Sequence, residues 1–87
     1  MSKSSNNGVT EIPLKHPYQS AGKQIERLLF RQPKVMDLKA ASRFSENSAD
    51  QEVALLAILC DLVPEDLNEM HLADFQALQA CFRSAVS

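Results

Sequence analysis

The chain predicts an α+β fold: an N-terminal β-hairpin followed by a compact bundle of three to four helices. Three observations carry that expectation. Short apolar stretches in the first third are punctuated by Pro13, Pro17 and Gly22. After Pro33 the apolar residues recur at spacings of three and four, as on a helix face. The longest apolar run, VALLAILC at 53–60, falls in the middle of that helical part, where a central helix belongs.

Taken in order, residues 1–8, MSKSSNNG, are small and polar and read as a disordered tail, with no apolar segment to make a signal peptide. Residues 9–87 form a single domain. VTEIPL (9–14) alternates like a short strand, with Pro13 marking it as an edge. KHPYQSAGK (15–23) reads as a loop or long turn. QIERLLF (24–30) fits either period, but Pro33 leaves it too short for a stable helix, so it becomes the second strand of a hairpin spanning 9–30.

Four helical segments follow, at 34–44, 48–63, 64–70 and 71–86. In the first, which follows Pro33, Val35, Leu38 and Ala41 are spaced three apart and Phe44 continues the series. The second opens on Ser48, three residues before Gln51, the pattern of a capping box. Its apolar residues run nearly all the way round, so it should be the most buried helix. The third starts at Pro64 with Glu65 and Asp66 at its positive end. On the last, Leu72, Phe75, Leu78 and Phe82 lie near one face, beside small Ala and Cys side chains.

Composition narrows the function. A net charge of -2, from 9 basic and 11 acidic residues, lacks the basic excess that phosphate binding needs. The basic residues gather between Lys15 and Arg43, while the second half is acidic. Eight apolar residues in a row fall far short of the ~20 that span a bilayer. Two glycines, Gly8 and Gly22, build no phosphate-cradling loop. An 87-residue chain buries only about 60% of its unfolded surface, so self-association, through helices rather than the hairpin, would support a thin core.

The polar residues read as structural. His71 and Asp74 sit one turn apart, as a general base and its orienting acid would, but no nucleophile is placed beside them. A helix cap and a first-turn acid account for both. Cys60, Cys81, His16 and His71 lack the spacing of zinc ligands, and both cysteines lie in runs that favour burial, as free thiols in a reducing compartment. Asp61, Glu65, Asp66 and Glu69 read as solvated caps, and Tyr18 as a local packing anchor. No catalytic residue, cofactor or metal is expected, and the chain reads as a non-enzymatic interaction protein.

The order of motifs adds a resemblance. Arg31, Pro33, Asp37 and Leu38 form an arginine-x-proline-x-x-x-aspartate-leucine pattern at the end of the hairpin. Leu62, Val63, Pro64, Glu65, Asp66 and Leu67 match an LTGLPPEEL-like turn. Asp74, Phe75 and Leu78, with Met70 or Leu72 before them, match a leucine-x-x-x-aspartate-phenylalanine-x-x-leucine segment. Over residues 9–84 the chain resembles the small tail assembly chaperones of Mu-like and related long-tailed bacteriophages and prophages. It departs from them by lacking a glycine around Asp61–Val63 and another near Lys39–Ala41.

The resemblance implies a non-catalytic assembly factor in the bacterial host cytoplasm, absent from the finished virion. Its client would be the phage tape measure protein. The tail tube protein would be recruited by a longer, frameshifted product. Leu72 and Phe82 are the candidate client-binding residues, with Phe75 expected in the core. The alternative is a small phage regulatory or nucleic-acid-binding protein, with 34–44 and 48–63 as a helix-turn-helix. Against it, the second helix offers no polar face to read bases.

Overall fold

A computed structural model describes residues 9–87; the expected disorder of 1–8 lies outside the described residues. The chain runs β1 (Thr10–Ser20), β2 (Lys23–Phe30), α1 (Val35–Ser42), α2 (Ser48–Leu59), α3 (Pro64–Asn68) and α4 (Leu72–Ala85). The antiparallel hairpin followed by helices is the architecture the sequence predicts.

The hairpin has the expected span, but its first strand is longer than expected, because 15–20 is strand rather than loop. Its turn is only Ala21–Gly22, with φ of 54° and 78°. Two successive positive φ angles are what a tight two-residue hairpin turn needs, and glycine takes one of them without strain. Pro17, which suggested a loop, instead lies within an irregularity. Pro13 pairs with Arg27 and Tyr18 with Ile25, so Leu14, Lys15, His16 and Pro17 of β1 bulge opposite Glu26 alone. A bulge tolerates proline, since it has no ladder bond to donate there.

Leu14, Ile25, Leu28 and Phe30 of the hairpin share one core with α2, whose Ala54, Leu55, Leu56, Ala57 and Leu59 are all buried. Leu67 of α3 and Leu78 of α4 close the core. The central position expected for α2 is therefore correct, but its boundaries are not. Asn47 rather than Ser48 caps it, its side-chain oxygen accepting the N–H groups of Ala49 and Asp50. At the other end it stops at Leu59, with Asp61 in the left-handed region at φ 59°. Leu62 N–H donates to Ala57 C=O and Asp61 N–H to Ile58 C=O, the paired bonds that close a helix when a residue turns left-handed. Asp61 thus holds the place a glycine usually fills.

The apolar series along α1 is split by its packing, Ala41 lying inside and the other three outside. The side turned inward carries Asp37 and Ala41, one turn apart, while Val35, Leu38 and Phe44 are exposed. Spacing alone marked them as a stripe, but α2 receives the neighbouring side of the helix.

Candidate interaction surface

Three buried aspartates hold the helices to the hairpin. Asp37, Asp66 and Asp74 are each the third residue of a helix, and each is only 3–4% exposed. An acid there normally does no more than complement the helix's own free N–H groups. Here each also reaches another element.

Asp37 takes both prongs of the Arg31 guanidinium, at 2.9 and 2.7 Å, and accepts Lys34 N–H at 3.0 Å. Arg31 N–H also donates to Leu59 C=O, tying the end of β2 to α2. The planar fork fixes the direction in which α1 leaves the hairpin. The Arg31 guanidinium holds the Asp37 carboxyl below the usual carboxylate range, against the opposing effect of burial.

Asp66 accepts the Ser20 hydroxyl at 2.6 Å and Val63 N–H at 3.2 Å, while its backbone oxygen accepts the Tyr18 hydroxyl at 2.7 Å. It is a staple onto the tip of the hairpin rather than a solvated cap. The Ser20 hydroxyl, with Val63 N–H, lowers its pKa. Tyr18 is the packing anchor expected of it, and burial pushes its phenol up to about 12.

Asp74 solves the problem the bulge creates. Backbone N–H groups taken out of the ladder need acceptors, and its carboxylate takes those of Lys15 at 3.0 Å and His16 at 2.9 Å. Burial pushes its pKa up, but the two N–H bonds and the nearby His16 and His71 leave it lowered on balance. His71 works separately: its Nδ1 accepts Ala73 N–H to cap α4, and its ring stacks on that of His16 with centroids 3.9 Å apart. The two residues expected as neighbours thus share one junction, Asp74 bonded to β1 and His71 to its own helix. Cys60 and Cys81 are free thiols. Burial, with Cys81 nearby, pushes the Cys60 thiol up to about 12, where it is an inert apolar group.

The consequence of this scaffold is a groove. α1 and α4 both pack on α2, and between them lies a channel of about 250 Å³ lined by Pro33, Lys34, Val35, Leu38, Leu55, Phe82 and Val86. Val35 is 72% exposed, Leu38 59% and Val86 56%, so an apolar wall stands in water. Isolated exposed leucines need no explanation, but a contiguous apolar channel marks a contact surface.

Structure separates the expected site residues. Arg31, Asp37 and Asp74 make the polar staples, and Leu67 and Leu78 are core. Pro33, Leu38 and Phe82 line the groove. Pro64 starts α3. Leu72 is exposed on a separate shallow surface with Val53, Met70 and Phe75. Phe75 and Phe82 are both half-buried against the core, rather than one inside and one out. Sequence reasoning missed Val35 and Val86 as surface residues. The signal available for Val35 was that its neighbour Met36 is apolar too, making that turn of α1 too apolar for one buried stripe.

A family model described as "Phage tail assembly chaperone proteins, E, or 41 or 14" matches residues 11–87. No curated protein and no solved structure matches the chain.

Proposed function

Because the chain belongs to the family of phage tail assembly chaperone proteins, we propose that it shields the tape measure protein of a Mu-like or related long-tailed phage while the tail is built. The observation that carries this reading is the apolar groove between α1 and α4. A tape measure protein is expected to be long and helical, with apolar stripes that aggregate until the tube encloses them. A helix laid in a groove buries such a stripe through side chains one turn apart. The staples at Asp37 and Asp74 hold α1 and α4 in place without the client, so the groove is preformed and little ordering opposes binding.

Contact with the tail tube protein is assigned to a longer, frameshifted product, and the site of action to the host cytoplasm before virion completion. The buried state of α2 argues against the helix-turn-helix alternative, since the helix that would enter DNA is the centre of the core. Co-expression with the tape measure protein encoded nearby is the test. A soluble complex that survives gel filtration is expected. A tape measure protein equally insoluble with and without this chain overturns the reading.

A further inference from the structure

We infer that the groove is charge-selective: its occupant is an amphipathic helix whose apolar ridge is flanked by acidic side chains. This deepens the proposed function and rests on it for the identity of the client.

The chain as a whole is acidic, yet the groove sits in its most basic stretch. Between residues 31 and 43 there are four cations, Arg31, Lys34, Lys39 and Arg43, and one anion, Asp37. That anion is turned inward and spent on Arg31. Lys34 lines the groove itself. Lys39 follows Val35 by four residues, on the same side of α1, and is exposed. Across the channel, exposed Arg83 adjoins Phe82 near the C-terminal end of α4. The acid nearest in sequence to the floor residue Leu55 is Glu52, one turn before it, which accepts a hydrogen bond from Gln79. An apolar channel lined by Lys34, with Lys39 and Arg83 exposed on the helices that flank it, attracts a helix with Glu or Asp beside its apolar residues and repels one with Lys or Arg there.

The same charges disfavour a second copy of this chain as occupant. A two-fold pairing across the groove would lay the basic α1 against its own symmetry mate. Residues 1–8 offer no apolar stripe, having only Met1 as a large apolar side chain. With a volume of about 250 Å³, the channel falls below the ~300–1,000 Å³ of small-molecule sites. It suits a few side chains of a docked helix.

The test uses two synthetic amphipathic helices with leucine at the a and d positions of each heptad. One carries Glu and the other Lys at the e and g positions, and fluorescence anisotropy follows their binding to the full chain. The Glu helix is expected to bind at least tenfold tighter at low salt, with the gap closing as salt rises. Leu38→Ser should abolish binding without unfolding the protein, since Leu38 is exposed. A triple variant, Lys34→Glu, Lys39→Glu and Arg83→Glu, should invert the preference. Equal binding of both helices, tighter binding of the Lys helix, or indifference to Leu38→Ser overturns the inference. So does a concentration-dependent dimer broken by Leu38→Ser, or a salt-dependent shift of duplex DNA abolished by the triple variant. Loss of charge preference while the tape measure complex still forms refutes only the charge selectivity. Failure of wild type to form that complex refutes the client, and leaves the peptide result standing.

Discussion

Replacing Asp74 by alanine separates two accounts of the same residue. If Asp74 only complements the dipole of α4, its loss costs about 0.3–1 kcal/mol. The structure gives it more to do, because its two oxygens accept the Lys15 and His16 N–H groups at 3.0 and 2.9 Å. Hydrogen bonds to a charged acceptor contribute about 1.5–3 kcal/mol each. Lys15 and His16 are themselves exposed, so water can reach the freed N–H groups, and the low end of that range applies to each. The sum is about 3 kcal/mol. At about 4–8 °C per kcal/mol for a domain of this size, Asp74→Ala should melt about 12–24 °C below wild type. Asp74→Asn keeps one acceptor oxygen but presents a donor to the second N–H, so it should recover less than half of the loss. Thermal melts by circular dichroism give the magnitude, and hydrogen exchange at the Lys15 and His16 amides gives the location. A loss under about 5 °C, or unchanged exchange at those amides, would refute the clamp and leave the dipole as the whole explanation.

Acid should weaken the fold at the same staples. Asp37, Asp66 and Asp74 all have carboxyls below their ordinary value of 3.8, so near that pH the unfolded chain binds more protons than the folded one. Their stabilisation is complete above the unfolded pKa and fades as pH falls from about 5 through the lower native values; urea midpoints that stay flat from pH 6 to 3 would contradict this. Asp61→Gly relieves a left-handed residue at the end of α2 and should raise stability by about 1 kcal/mol, read as a higher urea midpoint. Leu78→Ala, at a wholly buried position, should cost about 2–5 kcal/mol. Leu38→Ser should move the melt by no more than about 0.5 kcal/mol, and a large loss there would mean that the groove wall is internal.

How much of this was legible in the sequence depended on whether the signal was local. The hairpin and helices were, because the switch from period two to period three or four is carried by neighbouring residues. The burial of α2 was, because VALLAILC leaves no polar side to expose. What Asp66 and Asp74 grip was not: an acid in a first helical turn has a sufficient local explanation, and nothing near it in sequence names Ser20 or His16. The bulge escaped for a related reason, since register belongs to a pair of strands and Pro17 alone reads as a break. The exposure of Val35 and Leu38 was not legible, because helical spacing identifies an apolar series but not which side α2 receives. The motif from Arg31 to Leu38 was visible as a pattern, yet only the folded geometry splits it into an internal ion pair and two groove residues.

The Asp74 junction also constrains when the fold can be completed. Its two bonds join residues 58 and 59 positions apart, so they close a loop comprising most of the chain. The hairpin turn and the α1–α2 pair are local and can form early, whereas the N–H groups of the bulge in β1 have only water to bond until α4 has been synthesised. Contacts of such separation come late, because the intervening chain must lose its freedom before they form. Asp66 of α3 can hold the tip of the hairpin first, but the bulge at Lys15 and His16 stays open until α4 closes it.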